Sequence, residues 1–295
     1  MITASAPGKL VLCGEYAVLD GNAAVVAAVD VRAIATVTVG PSAPLIRAVL
    51  DAARAHGLEI PSEVAVDTSA FNVGGRKLGL GSSGAAAAAA AALVIQHSTG
   101  ALDVALAWRI ARDAHRAFQG GGSGIDVAAS TFGGLLRFSL DAEPAQAPPL
   151  PRDLEVLVVD TGSATATQGF VDRVLALPDR AKRLAPIAAA AAAFLEACER
   201  DDANALLAAV EHACAGMRAL GLAAGVDIVS APHARVASLA SAHGGAAKPS
   251  GAGGGDVAVA FVPRERAAAL RAALAAAALP VVDVRLGAPG ARIEP

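Results

Sequence analysis

The sequence predicts an α+β fold divided into two domains, and three observations support this prediction. The chain has 295 residues, a length that suggests one large domain or two of ordinary size. Strand and helix patterns follow one another without strict alternation, which favours α+β over a doubly wound sheet. Residues 144–151 hold four prolines and no periodicity, so we expect the linker there. The predicted domains are residues 1–149 and 150–295.

Hydrophobic periodicity assigns the elements of the first domain. Alternation of Val31, Ala33 and Ala35 indicates a strand, whereas Leu45 and Val49 recur at helical spacing. The predicted elements are a strand over 2–12 that turns at Pro7-Gly8 and continues through Gly14–Val18, a strand over 29–39, a helix over 44–56, a strand over 64–67, an alanine helix from 85, a helix over 104–118, a helix start at 125 and a strand over 135–140.

The second domain mixes apolar strands with alanine-rich helices in the same way. Its predicted elements are a strand over 154–159, helices over 171–197 with breaks near Pro178 and Pro186, helices over 202–220 and 230–243, a strand over 257–262, a helix over 264–278 and a strand over 281–286.

Composition excludes several classes of function. Apolar residues make up 55% of the chain and aromatic residues only 3%, so we expect a large core of small side chains. No apolar run approaches the ~20 residues that cross a bilayer, and the first residues lack a secretion signal. We therefore expect a cytoplasmic protein that does not bind membranes. A net charge of −3 gives no support for nucleic-acid binding. Three cysteines without metal-ligand spacing indicate free thiols.

The first of three glycine loops, Gly79–Gly84, leads directly into the alanine run Ala85–Ala92. Glycines let a backbone approach a ligand closely, and a helix start presents unpaired N–H groups and a positive dipole end. This arrangement favours a phosphate site, although a plain tight turn into a buried helix is the alternative. The loop also matches G-x-G-x-x-G, but Arg76-Lys77 stand where the dinucleotide fingerprint needs a strand end.

The second loop, Gly120–Gly124, ends two residues before Asp126. Asp126 is either an ordinary first-turn acid of a helix or a carboxylate held to orient, or take a proton from, an attacking oxygen. Lys9 follows Pro7-Gly8 within an apolar run. Its side chain either extends to solvent or meets Asp126, in which case the pair would lower the pKa of the carboxyl group.

The third loop, Ser250–Asp256, precedes a strand, where glycines usually cost stability. Four of the five residues 251–255 are glycine, so we expect close approach to another backbone or to a ligand. Lys248 is a possible phosphate contact or a solvated side chain.

These three loops occur in an order that resembles the small-molecule kinase superfamily of galactokinase, homoserine kinase, mevalonate kinase and phosphomevalonate kinase (GHMP kinases). Pro7–Val18 looks like its first motif, Gly79–Gly84 like its phosphate loop and Lys248–Asp256 like its third motif. The resemblance spans nearly the whole chain. It implies a ribosomal-S5-like nucleotide domain followed by a ferredoxin-like α/β sandwich domain, with ATP and acceptor in the cleft between them.

Within the superfamily the details look most like the phosphomevalonate kinase family. Val66–Phe71 is similar to that family's lead-in, and His115-Arg116 with Gln119–Ala128 resembles its substrate loop. Mevalonate kinases tend to carry a proline where Gly122 stands, and usually a magnesium-binding glutamate where His115 stands. The resemblance therefore implies transfer of the γ-phosphoryl group of ATP to (R)-5-phosphomevalonate, in the mevalonate route to isoprenoids.

The resemblance also implies roles for individual residues, with ATP and Mg²⁺ as cofactors. Lys9 and Asp126 would be catalytic, and Ser83 would contact Mg²⁺. The implied nucleotide-binding residues are Lys77, Gly79, Leu80, Gly81, Ser82, Ser83, Gly84 and Ala85. The implied substrate-binding residues are Gly14, Glu15, Tyr16, Gly122, Ser123, Gly124, Lys248, Ser250, Gly251, Ala252 and Gly253. Further candidate cations are Arg76, Arg116 and Arg137, and Ser163, Thr165 and Thr167 either hold substrate or form a solvated loop.

Other functions remain open from the sequence. Mevalonate kinase, diphosphomevalonate decarboxylase or another kinase of the superfamily would keep the three loops. A non-catalytic nucleotide sensor on the same fold would be expected to lose Lys9 or Asp126, and both are present. A Rossmann oxidoreductase would leave the third loop unexplained. We expect a small-molecule substrate and a monomer or homodimer.

Overall fold

The computed structural model describes residues 2–162 and 167–295. The chain forms two compact units, and neither is continuous in sequence. Unit 1 comprises residues 1–10, 26–136 and 285–295, and unit 2 comprises residues 11–25 and 137–284. The division predicted from the sequence, with one boundary after residue 149, stays a prediction.

The strands lie mostly in two sheets. Within the described ranges the strands are β1 (Thr3–Cys13), β2 (Ala24–Thr38), β3 (Glu63–Asp67), β4 (Asn72–Val73), β5 (Arg76–Lys77), β6 (Leu135–Phe138), β7 (Ala145–Gln146), β8 (Leu154–Asp160), β9 (Ala246–Pro249), β10 (Val257–Pro263), β11 (Val281–Val282) and β12 (Arg292–Ile293). One sheet has the order β12-β1-β2-β6-β7, with β3 also paired to β2, and the other has the order β11-β8-β10-β9.

The helices cover much of the remaining chain. In the same ranges the α-helices are α1 (Pro44–Ala55), α2 (Ser82–Thr99), α3 (Val104–Gln119), α4 (Ile125–Phe132), α5 (Thr167–Leu175), α6 (Arg180–Glu199), α7 (Ala203–Ala224), α8 (Ala231–Ala242) and α9 (Arg264–Ala276). Short 3-10 helices cover Ala17–Asp20 and Ser69–Phe71.

Helix α2 forms the centre of unit 1. Every residue from Gly84 to Ile95 is buried, which confirms the buried helix predicted there. Because α2 packs against α1, α3 and α4, it needs no polar face, and its alanines allow the neighbouring helices to come close. The start of α2 is therefore held rigidly by the helices around it.

The ends of the chain return to unit 1. Strand β12 pairs with β1, with Ala4 opposite Ile293. The guanidinium of Arg32 donates to Ser5 Oγ at 2.7 Å and to the carbonyls of Pro289 and Gly290, both at 2.8 Å. This clamp explains why unit 1 includes residues 285–295.

Unit 2 is built on the antiparallel sheet β11-β8-β10-β9. In the register of its central strands, Val259 lies opposite Val158 on one side and Lys248 on the other. Helices α6 and α7 pack together, and α8 packs against β9. Cys13, Cys198 and Cys214 are buried free thiols, as the sequence predicts, and burial raises the pKa of Cys13 and of Cys198 to about 12.

Helix α7 is long and apolar enough, by length and composition, to cross a membrane, and half of its apolar window is buried. The sequence pattern predicts no such span, because Glu211 and Arg218 interrupt the apolar run. A single half-buried helix of this kind is weak evidence for a membrane span, since the core helices of soluble proteins share its length and composition.

Three local predictions were wrong. Strand β1 continues through Pro7-Gly8 without a turn, because the fixed φ of proline also suits an extended chain. Residues 14–18 leave the strand and enter a 3-10 helix, since Gly14 and Tyr16 have positive φ. Pro186 lies inside α6 rather than breaking it.

Candidate active site

The start of α2 has the geometry of an anion site. Gly81 is the N-cap in the left-handed conformation, with φ 79°, and the first helical hydrogen bond runs from Ala85 N to Gly81 O at 3.0 Å. The N–H groups of Ser82, Ser83 and Gly84 consequently have no acceptor within the helix. They point out of the helix end together with its positive dipole.

Lys9 lies against this glycine loop. Its backbone N–H donates to Leu80 O at 2.8 Å, and Nζ donates to Gly79 O at 3.1 Å. A Cβ on Gly81 would lie 2.7 Å from Lys9 Cγ, so only glycine lets the lysine stem pass. The half-buried Lys9 ammonium thus lies beside the helix start.

Asp126 approaches the same helix start from α4. It lies in the first turn of that helix, behind Gly124 as N-cap, and Oδ1 accepts from Val127 N at 2.9 Å. A Cβ on Gly84 would lie 3.1 Å from both Cγ and Oδ2 of Asp126. The missing side chain at Gly84 therefore makes room for the carboxylate. A direct pair between Lys9 and Asp126 stays a prediction.

His115 joins the two sides of this cluster. Its Nε2 lies 3.1 Å from Ser83 Oγ and 3.5 Å from Asp126 Oδ2. The His115 side chain is only 3% exposed, whereas that of Asp126 is 21% exposed. Helices α2, α3 and α4 each contribute one of these three side chains, which places a hydroxyl, an imidazole and a carboxylate together.

The second glycine loop leads into this cluster. Gly122 is exposed, and Ser123 Oγ accepts from Ile125 N at 3.3 Å. Gly124 is buried with φ +81°, a conformation that glycine adopts without strain. This loop fixes the direction from which Asp126 enters the site.

The donor atoms of this cluster fit Mg²⁺ only as a partial ligand set. In the part of the chain that the structure describes, no group of three His, Cys, Asp or Glu side chains could hold a metal. Mg²⁺ usually keeps several waters and binds one or two carboxylates together with substrate phosphates. The Ser83 hydroxyl and the Asp126 carboxylate suit that pattern, so phosphate oxygens would supply much of the coordination.

Residues of the first and third motifs meet inside unit 2. Lys248 is completely buried, and its Nζ donates to Glu15 Oε1 and, at 2.7 Å, to Pro249 O. The alternative that Lys248 is solvated is therefore wrong, because Glu15 supplies a buried counter-ion. Both side chains use their charges on each other, which favours a structural role, and their predicted contact with substrate stays a prediction.

Two further contacts join these two motifs, and a third packs the third motif against Ile228. Tyr16 OH donates to Ala252 O at 2.5 Å, and burial raises the pKa of Tyr16. Ser250 Oγ donates to Val11 O at 2.9 Å. Gly253 packs so closely on Ile228 that a Cβ would lie 2.2 Å from its carbonyl oxygen. Close approach to another backbone, one of the two reasons expected for these glycines, is thus present.

The third loop rests on a buried neutral histidine. His233 is 1% exposed, its Nδ1 lies 2.8 Å from Ser230 Oγ, and burial lowers its pKa to about 4. His233 therefore carries no charge at neutral pH and adds rigidity to the base of the loop.

The predicted site residues fall into two groups, one in each unit. Lys9, Gly79, Gly81, Ser83, Gly84 and Asp126 form one cluster in unit 1, whereas Gly14, Glu15, Tyr16, Lys248, Ser250, Ala252 and Gly253 lie in unit 2. Leu80 is buried and Lys77 exposed, so Leu80 offers a ligand only its backbone. Ser163 and Thr165 lie outside the described residues, as does the Thr167 side chain.

The sequence marks His115 as a departure from the mevalonate kinase pattern but assigns it no role. The available signal was its spacing of eleven residues before Asp126, which crosses a loop and therefore fixes no distance. The pairing of Lys248 with Glu15 was also missed, because 233 residues separate them in the chain.

Two family models match the chain. The model of the GHMP kinases N terminal domain matches residues 40–134, and that of the GHMP kinases C terminal region matches residues 194–280. The first match contains the glycine loop at 79–84 together with His115 and Asp126. The Lys248 loop falls within the second match.

Relatives with assigned activities carry two names. A phosphomevalonate kinase of Streptomyces sp. (strain CL190) is 30% identical over 90% of this chain and 90% of its own length. A mevalonate kinase of Aeropyrum pernix is 28% identical over 60% of this chain and 62% of its own length. The solved structure of Streptococcus pneumoniae phosphomevalonate kinase in complex with phosphomevalonate and AMPPNP has a TM-score of 0.81 at 20% identity, covering 97% of this chain and all of that chain. That likeness confirms the predicted two-domain α+β fold.

We expect the fold to be destabilised when one partner of the buried Lys248–Glu15 pair is removed without the other. Lys248→Met should lower the free energy of unfolding by ~3–5 kcal/mol, because Glu15 would remain as an uncompensated buried charge. The double variant Lys248→Met/Glu15→Leu should recover most of that loss, since apolar groups can replace a buried pair. Urea midpoints at neutral pH measure both effects.

The matched control is Arg200→Met, which breaks the exposed Arg200–Glu196 pair of the same unit. Exposed pairs contribute ~0–1 kcal/mol, so its urea midpoint should stay near that of the parent protein. A Lys248→Met midpoint as close to the parent value as that of the control would contradict the expected cost of an unpaired, buried Glu15.

Proposed function

Since this chain belongs to the GHMP kinases, we propose that it transfers the γ-phosphoryl group of ATP to (R)-5-phosphomevalonate, giving (R)-5-diphosphomevalonate and ADP. The observation that carries the proposal is the cluster around the start of α2. There the Lys9 ammonium contacts Gly79 O in the loop before α2, while the Ser83 hydroxyl and the Asp126 carboxylate lie at the first turn of the helix.

The start of α2 is a suitable binding site for the nucleotide phosphates. The N–H groups of Ser82, Ser83 and Gly84 can donate to phosphate oxygens, with the helix dipole adding favourable potential. Gly79 and Gly81 allow the phosphates to approach the backbone, and exposed Lys77 can contribute charge. Mg²⁺, held by phosphates with Ser83, would neutralise charge on the transferring group.

Asp126 and Lys9 suit a phosphate acceptor. The second pKa of a phosphate monoester is about 6, so the acceptor is largely deprotonated at neutral pH and needs no strong base. Asp126 would therefore orient the acceptor, and Lys9 would offset charge between two anions. Phosphoryl transfer depends mainly on such positioning and electrostatic stabilisation.

The choice of phosphomevalonate over mevalonate rests on two supports. The relative that matches 90% of the chain at 30% identity is a phosphomevalonate kinase. In addition, Gly122 and His115 stand where the pattern typical of mevalonate kinases has a proline and a glutamate. The mevalonate kinase of Aeropyrum pernix is nearly as similar over a shorter stretch, so mevalonate is the competing acceptor. Gly122, Ser123 and Gly124, with Gly251 and Ala252 of unit 2, are the proposed substrate contacts.

The direct test measures ADP release with Mg·ATP while phosphomevalonate and mevalonate are offered in parallel. We expect turnover with phosphomevalonate and at most a trace with mevalonate. Turnover with mevalonate alone would overturn the proposed acceptor while keeping the kinase. If neither compound gives ADP release but ATP binding is measurable, another acceptor or a nucleotide sensor would be favoured.

Asp126→Asn should lower kcat by ~10²–10³-fold with ATP affinity changed less than about threefold, because a positioned group that acts in the transition state is lost. Lys9→Met should likewise reduce kcat through loss of charge stabilisation. Asp51→Asn, which alters an exposed carboxylate on α1, is the control and should leave kcat unchanged. Near-normal kcat for Asp126→Asn would remove Asp126 from the mechanism.

A further inference from the structure

His115 occupies a position that the proposed reaction has not yet used. One atom of its ring, Nε2, faces both Ser83 Oγ at 3.1 Å and Asp126 Oδ2 at 3.5 Å. The side chain is 3% exposed, so water has little access to compete for that nitrogen. One buried nitrogen thus contacts both a group beside the nucleotide site and a group beside the acceptor.

The chemistry of the two neighbours determines whether Nε2 carries a proton. An ionised carboxylate only accepts hydrogen bonds, whereas a serine hydroxyl both donates and accepts. A lone pair on Nε2 would face the carboxylate oxygen and be repelled, while an N–H there is attracted to both oxygens. The proton therefore belongs on Nε2.

This tautomer sets the direction of the Ser83 hydroxyl. When Nε2–H donates to Ser83 Oγ, that oxygen accepts and its own proton is left to donate to another group. Ser83 is the second residue of α2, where the helical N–H groups without an acceptor in the helix point out of its N-terminal end. A Ser83 O–H that donates in the same direction adds one more donor to that set.

The packing around the imidazole leaves little room for adjustment. His115 projects from α3, which packs against both α2 and α4. Gly84 lies so close to Asp126 that a Cβ would be 3.1 Å from Oδ2. Movement of the carboxylate is therefore restricted on the side of α2, and Nε2 restricts it on another.

We propose that His115 is a positioning residue whose Nε2–H orients the Ser83 hydroxyl toward the nucleotide phosphates and holds the Asp126 carboxylate toward the acceptor. His115 itself touches neither reactant. The kinetic consequence rests on the proposed kinase function, whereas the tautomer and its two contacts do not.

The kinetic test compares two replacements of similar volume. His115→Met removes the donor and should lower kcat by ~10–100-fold, since small misplacements of reacting groups carry losses of this size. His115→Gln places an amide N–H near the position of Nε2 and should retain kcat within about threefold of the parent. The KM for ATP should change less than kcat in both variants, and thermal unfolding midpoints check that each is folded.

The control is His97→Met, which replaces an exposed histidine on α2 and should leave kcat unchanged. Full kcat in a folded His115→Met variant would overturn the proposal. So would equal losses in the Met and Gln variants, because a purely space-filling role would not distinguish a donor from a thioether.

The second test needs no turnover. Long-range ¹H–¹⁵N spectra of the histidine rings in the parent protein should show His115 protonated at Nε2. Its Nε2 resonance should shift in Ser83→Ala and in Asp126→Asn but not in His97→Met. A ring protonated only at Nδ1, or an Nε2 resonance insensitive to both neighbours, would overturn the proposal. If no acceptor is phosphorylated, the proposed reaction is wrong. The spectrum would still test whether His115 carries a proton on Nε2 and contacts Ser83 and Asp126.

Discussion

The arrangement of unit 1 depends on the absence of a side chain at two glycines, one in the loop before α2 and one in the first turn of that helix. A Cβ on Gly81 would collide with the Lys9 stem, and a Cβ on Gly84 would crowd Asp126. Because both positions are glycine, a cation and a carboxylate from distant parts of the chain reach the first turn of α2. The alanines that follow serve the same end, since their small side chains let α3 and α4 pack closely enough to deliver His115 and Asp126.

Charge is used differently in the two units. In unit 1, Lys9 and Asp126 lie at a helix start whose own dipole attracts anions, and under the proposed function these groups would act on a bound polyanion. In unit 2, Lys248 and Glu15 are buried and neutralise one another, and such a pair is more valuable for fixing a conformation than for binding. The third glycine loop, joined to Tyr16 by a hydrogen bond, is correspondingly built against its own scaffold.

Much of this could be predicted from local sequence, and the failures have physical causes. The helix predicted over 104–118 and the glycine-to-helix transitions were predictable because glycine and alanine determine backbone conformation locally. The environment of Lys248 was not, since its partner Glu15 is distant in sequence and local pattern gives no information on pairing. The continuation of β1 through Pro7-Gly8 was not predicted, because pairing within the sheet outweighs the local preference of this dipeptide for a turn. The contacts of His115 depend on helix packing, which spacing across a loop cannot specify.

The central claim is that Gly84 exists to admit the Asp126 carboxylate to the helix start. The most direct measurement is kcat of Gly84→Ala, with whichever acceptor the parent enzyme turns over, alongside its unfolding midpoint. Alanine favours a helix by about 1 kcal/mol over glycine, so we expect little or no loss of stability. We expect kcat to fall ~10–100-fold, because the new Cβ would lie 3.1 Å from the backbone carbonyl carbon, Cγ and Oδ2 of Asp126, and that residue must then shift by a few tenths of an ångström. Parent-like kcat in Gly84→Ala would contradict the claim.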